Sequence, residues 1–248
     1  MQKGMLERIL DIEERHWWFR ARHEILIDLL QRWVPPGATI LDVGCGTGFF
    51  LKAAAGTWEV WGVDPAPEAV AFCHARGLPN VRVGTAVLGI PDLPQADAIC
   101  FFDVLEHTDD DVASLKAAAR QLKPGGLVFA TVPAYQWLWS EHDVINHHRR
   151  RYTQDRLSRA LGDAGLKPLV LGYLNNRLFP LAVAERMLKR SRSRRQEELL
   201  PLPPRIVNDI LYRVFRSEKG RLIRIPPRPF SYGLSVLAVA RAIEVQSV

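Results

Sequence analysis

ILDVGCGTG, residues 40–48, is the stretch of sequence that decides the fold. It begins with a short apolar run, interrupted only by Asp42, and ends with three glycines in five positions. A short apolar run predicts a buried strand, and glycines allow a tight turn in which the backbone approaches a ligand closely. A helix predicted over 48–55 would direct its free N–H groups at that ligand. The stretch therefore predicts a strand, a ligand-binding turn and a helix.

Outward from this stretch, apolar runs and helical periodicity alternate along the chain. Pro67 is typical of the first turn of a helix, Gly77 of a helix C-terminus, and residues 112–122 repeat apolar side chains at helical spacing. Strands are predicted at 40–43, 59–63, 81–83, 98–102, 127–132, 167–174 and 235–240. This alternation predicts an α/β fold in which helices cover both faces of a parallel sheet.

The chain is expected to have three parts. Residues 5–33 show helical periodicity and are expected to form a helical segment in two pieces. Pro35 and Pro36 end this segment. A second helical region is expected between the last two strands. The parts are an N-terminal helical lid at 1–36, an α/β core at 37–174 and 231–248, and a basic helical insertion at 175–230.

Charge is distributed unevenly over these parts. The net charge is +6, but residues 181–230 contain 13 Lys and Arg against 5 Asp and Glu, which leaves the rest of the chain near −2. The basic residues therefore belong to the insertion and not to the core. An anionic lipid surface is favoured over nucleic acid as the partner of residues 178–195, and a solvated helical cap is the alternative.

Other bulk features exclude several classes of protein. The three cysteines are widely spaced and form no CxxC or zinc-ligand pattern, so reduced thiols at packing positions are expected. The N-terminus has no apolar segment typical of a signal peptide, and no apolar run approaches the roughly 20 residues of a membrane span. We expect a cytoplasmic protein, with peripheral contact at the inner membrane face as an option.

Two carboxylates select the ligand of the glycine turn. Position 49 is Phe, so the turn reads GxGxG and lacks the spacing of the dinucleotide fingerprint. Asp42, just before the turn, would repel a pyrophosphate and attract a cation such as an ammonium group. Asp64 lies 20 residues after Gly44, where a carboxylate can accept hydrogen bonds from a ribose diol. A ligand with both an amine and a sugar is indicated.

Four motifs in order carry a family resemblance. ILDVGCGTG (40–48), VWGVDPAPEAV (60–70), AICFFDVLEH (98–107) and LKPGGLVFATVP (122–133) resemble the motif set of class I S-adenosylmethionine-dependent methyltransferases. The resemblance covers roughly residues 38–174 and implies a Rossmann-like sheet of seven strands, the last of them antiparallel. It also implies S-adenosyl-L-methionine as the cofactor.

The resemblance implies which residues bind the cofactor and what several of them contact. Asp42 would hold the amino group of the cofactor, Asp64 the ribose, and Phe102 would lie beside the methyl group. Arg22 is the best match to an arginine that reaches the cofactor carboxylate in ubiquinone-pathway O-methyltransferases, with Arg20 as the second choice. The cofactor-binding set is Arg22, Asp42, Gly44, Cys45, Gly46, Asp64, Pro65, Thr85, Ala86, Phe102 and Asp103.

Methyl transfer to a hydroxyl group also needs a base. The candidates are His107, His142 and His148. Asp103, Glu106 and His107 form a DxxEH set similar to the ExxEH set that binds a divalent metal in some relatives. We expect no metal here; the alternative is a site completed by a later histidine such as His142.

Residues 133–153 are expected to form the acceptor loop. Trp137 and Trp139 would offer flat apolar walls, and the arginines at 149–151 would contact an anion, unless the loop is simply packed and its arginines solvated. We expect transfer of a methyl group to a hydroxyl of a small-molecule, glycan or lipid-linked acceptor. A nucleic-acid methyltransferase and a non-catalytic cofactor-binding scaffold are the alternatives. The oligomeric state is left open.

Overall fold

The computed structural model describes residues 3–87, 92–190, 201–224 and 227–243. Its strands are β1 (Thr39–Val43), β2 (Glu59–Asp64), β3 (Val81–Val83), β4 (Ala96–Phe102), β5 (Leu122–Pro133), β6 (Leu166–Leu174) and β7 (Ser235–Ala242). The helices are α1 (Lys3–Ile12), α2 (Trp17–Trp33), α3 (Phe49–Ala54), α4 (Pro67–Ala75), α5 (Asp111–Gln121), α6 (Glu141–Ile145), α7 (Gln154–Asp163), α8 (Phe179–Arg190), α9 (Arg205–Arg216) and α10 (Lys219–Leu222).

The strands form one seven-stranded sheet in the order β3-β2-β1-β4-β5-β7-β6. β7 pairs antiparallel with both β5 and β6, whereas the other pairings are parallel. The predicted fold, a mostly parallel Rossmann-like sheet of seven strands, is confirmed. Because β1, β2, β4 and β5 run the same way, the turns that follow them meet at one edge of the sheet, where ligands bind in such folds.

Strands β4 and β5 begin earlier than the sequence pattern predicts. Ala96 pairs with Leu122, five residues before the expected start of β5, and the register then shifts between Ala96 and Ala98. Gly125 takes a left-handed conformation with φ 78°, which lets the Lys-Pro-Gly-Gly segment bulge within the strand. Burial of Leu122 against Ala96 explains why pairing begins before the bulge.

Apolar side chains fill both faces of the sheet. One cluster joins α2, α3 and α9 to the sheet, and the other joins α5 and α7 to it. The N-terminal segment contributes directly, since Ile25, Leu26, Leu29 and Leu30 of α2 are at most 1% exposed. The expected break in this segment lies between α1 and α2, where His16 caps α2 by accepting a hydrogen bond from the Trp18 N–H group.

The insertion packs against the N-terminal helices. Asn208 of α9 accepts a hydrogen bond from the Trp17 N–H group (2.9 Å) and donates one to the Arg15 carbonyl (2.9 Å). Lys219 of α10 forms an ion pair with Asp28 of α2. The basic run at 191–195 lies outside the described residues. None of the described helices is both long and apolar enough to cross a bilayer.

Candidate active site

The glycine turn after β1 forms the centre of the candidate site. Gly44 and Gly46 both have positive φ angles, 71° and 54°. A Cβ atom on Gly44 would lie 2.6 Å from Cγ2 of Val104, whereas one on Gly46 would have nothing within 4 Å. Gly44 is therefore required by packing against the segment after β4, while Gly46 leaves open space through which a ligand can approach the backbone.

Asp64 ties this turn to the end of β2. Its Oδ2 accepts a hydrogen bond from the Gly46 N–H group and its Oδ1 accepts one from the Ala66 N–H group, both at 2.9 Å. Burial raises the pKa of Asp64, and these two N–H groups oppose the shift. Each carboxylate oxygen keeps acceptor capacity, as hydrogen bonds from a ribose diol would require.

Asp42 is a buried acid that has no hydrogen-bond or ion-pair partner among the side chains that the structure describes. It is the fourth residue of β1 and is only 4% exposed. Burial raises the pKa of this carboxyl to about 8, against the effect of the positively charged Arg22. An acid held neutral in this way can be converted to a carboxylate by a cation that binds beside it.

Arg22 is the cation that α2 brings to this edge. Its Nη2 lies 2.9 Å from Oδ2 of Asp103 and also donates a hydrogen bond to the Thr131 hydroxyl. Its guanidinium lies over the rings of Trp18 and Phe102, 5.0 and 5.7 Å from their centres. The Nε–H group of Arg22 is buried and has no hydrogen-bond partner among the described residues. That donor is free to meet an anionic group.

The other members of the expected cofactor set differ in burial. Phe102 packs edge-on against Phe50, with ring centres 4.9 Å apart. The Cys45 side chain is directed into the core, 4.0 Å from the sulfur of Cys73, so only the Cys45 backbone faces the turn. Pro65 and Thr85 are exposed, and Ala86 is half-buried. Residues 88–91, which continue the segment after β3, lie outside the described residues.

The three candidate histidines meet beside the end of β4. The rings of His107 and His148 are 4.7 Å apart at their centres, and those of His142 and His148 are 6.1 Å apart. Side-chain polar atoms of Glu106, His107 and His148 all lie within 4.8 Å of one another. Partial burial, followed by the proximity of His148, lowers the pKa of His107 to about 4, so this ring is neutral at pH 7.

Two fully buried acids lie beneath the histidines in opposite states. Neither carboxyl oxygen of Glu106 has a hydrogen-bond partner among the described residues, and burial, followed by the charge of Asp103, raises its pKa well above the usual range. Asp143 is saturated instead. Burial alone would raise the pKa of Asp143, but hydrogen bonds from His148 and Arg151 hold it well below its usual range.

The arginines at 149–151 all have acidic partners within the protein. Arg149 pairs with Asp109 at 2.7 Å, and Arg150 lies 3.4 Å from Asp111. Arg151 pairs with Asp143 at 2.7 Å, and this pair is almost completely buried. Arg149 and Arg150 therefore fasten the 133–153 loop to the segment after β4, whereas Arg151 holds two parts of the loop together. Trp137 is 52% exposed, so it remains available as an apolar wall.

The charges of this edge fit S-adenosylmethionine. Among the described residues, this edge carries the acids Asp42, Asp64, Asp103 and Glu106 together with Arg22, which pairs with Asp103, and burial raises the pKa values of Asp42 and Asp64. S-adenosylmethionine brings two positive groups, an ammonium and a sulfonium, together with a ribose diol and one carboxylate. Its cations match the unpaired acids, and its carboxylate matches the free donor of Arg22.

Comparison with known families agrees with this geometry. The family model described as "Methyltransferase domain" matches residues 18–171, more than half of the chain. The chain is a class I S-adenosylmethionine-dependent methyltransferase. The matched range begins within α2 and ends within β6, so it includes Arg22, the glycine turn, Asp64 and all three histidines.

Curated relatives of this methyltransferase include two described as "Ubiquinone biosynthesis O-methyltransferase". The chain is 34% identical over 131 residues to the protein from Xylella fastidiosa strain 9a5c, which covers 46% of this chain and 53% of that protein. It is 39% identical over 101 residues to the protein from Xanthomonas campestris pv. campestris strain B100, which covers 38% and 42%. The chain therefore spans about half the length of the curated relatives it matches.

Solved structures show the same fold in methyltransferases. A methyltransferase from Haloferax volcanii, in complex with the activator Trm112, has a TM-score of 0.63 at 21% identity, covering 99% of this chain and 97% of that one. A geranyl diphosphate methyltransferase in complex with its methyl donor has a TM-score of 0.60 at 18% identity, covering 97% and 91%. At these identities the likeness shows the fold alone.

Sequence reasoning missed two acids of this methyltransferase. Asp143 was not singled out, although Ser140 and Asp143 stand at capping-box spacing and form that box at the start of α6. Glu13, in the segment between α1 and α2, accepts a hydrogen bond from the hydroxyl of Thr47 in the glycine turn and pairs with Arg76. Nothing in the local pattern around Glu13 indicates this long-range contact.

Proposed function

We propose that this methyltransferase transfers the methyl group of S-adenosylmethionine to a hydroxyl oxygen of a small-molecule, glycan or lipid-linked acceptor. The cofactor, when bound, supplies an electrophilic methyl group on a sulfonium. A hydroxyl must lose its proton as it attacks, which requires a base at the site. The observation that carries the proposal is the group formed by His107, His142 and His148 beside Asp103.

The cofactor-binding residues have the following proposed roles. Asp42 binds the ammonium group, and its burial makes this interaction strong because little water competes for it. Asp64 binds the ribose hydroxyls, and Arg22 binds the carboxylate through its free Nε–H donor. Thr85 and Ala86 flank the adenine, on the evidence of their position directly after β3.

The acceptor can be identified with labelled methyl donor. The purified protein would be added, with S-adenosylmethionine carrying a tritiated methyl group, to a lysate of the source organism that is then separated into aqueous, glycan, lipid and nucleic-acid fractions. We expect label in one of the first three, in an alkali-stable linkage typical of a methyl ether. Label confined to nucleic acid would favour the RNA alternative. Cofactor binding without label in any fraction would favour a scaffold.

A lipid-linked acceptor is favoured by two exposed apolar surfaces on the insertion. Leu181, Met187 and Leu188 of α8 are 61 to 68% exposed. On α9, Ile206 is 76% and Ile210 is 55% exposed. Exposed apolar side chains on a basic helical segment are typical of helices that lie on an anionic bilayer. We therefore propose that the insertion contacts the inner membrane face. The sequence predicts this contact for residues 178–195, and part of that range lies outside the described residues.

Vesicle flotation tests this contact. The protein should float with vesicles containing phosphatidylglycerol and stay in solution with phosphatidylcholine alone, because both charge and apolar area contribute. Replacing Ile206 and Ile210 together by Ser should reduce flotation. The matched control replaces Val83, which is 52% exposed on β3, far from the insertion in sequence. Equal flotation of the double variant and the control would contradict the assignment of this surface.

A further inference from the structure

A buried carboxylate lies behind one of the three histidines. Asp143 is 0% exposed, and its Oδ1 lies 2.8 Å from Nδ1 of His148. Resting on the proposed function, we propose that Asp143 is a positioning residue, which holds His148 in the tautomer and orientation of the base that accepts the proton of the acceptor hydroxyl. No comparable carboxylate contact is made by His107 or His142 within the part of the chain that the structure describes.

The hydrogen bonds of Asp143 fix the tautomer of His148. Arg151 donates to both oxygens of Asp143, from Nε at 2.7 Å and from Nη2 at 2.9 Å, and the Ser140 N–H group donates to Oδ2 at 2.8 Å. A carboxylate with these donors is ionised and can only accept hydrogen bonds. In the neutral ring, Nδ1 of His148 must therefore carry the proton and direct it toward Asp143, which leaves a lone pair on Nε2.

The backbone fixes the position of the His148 ring as well. The His148 N–H group donates to the Asp143 carbonyl at 2.9 Å, and the next N–H group, that of Arg149, donates to the Glu106 carbonyl at 2.8 Å. His147 takes a left-handed conformation, with φ 55°, to allow this turn. Such a conformation persists only where surrounding contacts hold it. The ring is thus fixed above the end of β4, next to the Asp103 and Glu106 segment.

Methyl transfer with His148 as the base moves one proton and one methyl group. The acceptor hydroxyl passes its proton to Nε2 of His148, and its oxygen forms a bond to the methyl carbon. The bond between that carbon and sulfur breaks, and its electron pair stays on sulfur, which becomes a neutral thioether. The imidazolium that results is stabilised by the carboxylate of Asp143, as in other histidine bases held by a buried acid.

The other ionisable groups around His148 are less suited to accept the proton of the acceptor hydroxyl. Burial raises the pKa of Glu106 well above its usual range, and none of the described carboxylates forms a hydrogen bond with the ring of His107. Arg151 and Asp103 each have a charged partner, Asp143 and Arg22. His142 faces His148 edge-on but is more than a ring width away, at 6.1 Å between centres.

The tautomer can be measured without any acceptor. In a two-bond proton–nitrogen correlation spectrum of protein labelled with ¹⁵N-histidine, we expect the His148 signals of the form protonated at Nδ1, assigned by their loss in His148→Gln. The form protonated at Nε2 would overturn the proposal even if methyl transfer is found. This readout does not depend on the proposed function, so the two can fail separately.

Rates measured with the acceptor fraction labelled in the lysate complete the test. Asp143→Asn should lower kcat about 10²- to 10⁴-fold, leave the affinity for S-adenosylmethionine within about twofold, and move the acid limb of the pH profile to lower pH. In the background of His148→Ala, Asp143→Asn should have almost no further effect, because it acts through that histidine. Ser140→Ala, which removes a hydroxyl contact to Asp143 but spares His148, is the matched control. Additive effects would overturn the proposal, as would a rate abolished by EDTA and restored by Mg²⁺.

Discussion

The two sides of the site use buried acids in opposite ways. On the proposed cofactor side, Asp42 forms no ion pair with any of the described cations, and burial raises its pKa to about 8. On the acceptor side, Asp143 is equally buried but receives hydrogen bonds from His148 and Arg151, which hold its pKa well below the usual range. An acid without a partner is ready for a charged ligand, whereas a saturated acid organises the residues around it. The contrast separates a binding group from a structural one.

Arg151→Ala should have the largest effect on stability. It removes the arginine that pairs with Asp143 and leaves that buried carboxylate with His148 and Ser140, and breaking a buried ion pair from one side costs about 3–5 kcal/mol. Arg149→Ala is the matched control, because that arginine pairs with the 85% exposed Asp109 and should contribute less than about 1 kcal/mol. Denaturant unfolding measures both. Equal losses would mean that the buried pair is not what stabilises the loop.

Asp64→Ala tests the cofactor side. Loss of hydrogen bonds to a charged group should weaken the affinity for S-adenosylmethionine by on the order of 1–3 kcal/mol. Calorimetric titration gives the affinity directly, and Glu68→Ala, an exposed acid on the nearby α4, should leave it unchanged. Unaltered binding by the Asp64 variant would show that the ribose is held elsewhere.

The affinity for S-adenosylmethionine should depend on pH through Asp42. Because the free protein holds this carboxyl protonated below about pH 8, binding of a cation must displace the proton. Affinity should therefore rise between pH 6 and pH 8, by at most about tenfold per unit, and level off above. Titration in buffers of different ionisation enthalpy should detect the released proton. A flat profile in the wild type would contradict this role of Asp42.

Asp42→Asn should make the protein without ligand more stable at alkaline pH. Since the folded-state pKa of Asp42 lies above its unfolded value of 3.8, the folded protein binds the extra proton and loses stability as pH rises from about 4 to 8. Asn cannot ionise, so the variant should melt at a higher temperature than the wild type at pH 8, by roughly 2–4 °C for each kcal/mol that the wild type loses to ionisation of Asp42. At pH 4 the two melting temperatures should nearly coincide. Calorimetric scans without ligand give both values.

The sequence predicts which residues meet at the glycine turn because those residues are local. Asp42, Gly44 and Gly46 lie within five positions, and Asp64 ends the next strand, so strand alternation alone brings them together. The sheet follows from the same regularity. What the pattern could not predict is the early start of β5 at Leu122, since pairing through a bulge depends on the partner strand.

The acceptor side is less predictable because it is assembled by tertiary contacts. His107 and His148 are 41 positions apart, and tertiary contacts bring them together, among them the hydrogen bond from the Arg149 N–H group to the Glu106 carbonyl. The expected anion contacts of the three loop arginines illustrate the same difficulty. Sequence shows their charge but not that acids at 109, 111 and 143 already pair with them.

Asn208 connects the insertion to the N-terminal helical segment of the methyltransferase. Its amide joins α9 to the backbone on both sides of the break before α2, and α2 in turn covers one face of the sheet. Deleting the N-terminal helices would leave the Asn208 amide without partners, and deleting α9 would leave the backbone groups of Arg15 and Trp17 without theirs. Either deletion would also expose apolar side chains of the remaining segment. Engineering of this enzyme for size should therefore trim elsewhere, or remove both segments and redesign the uncovered side.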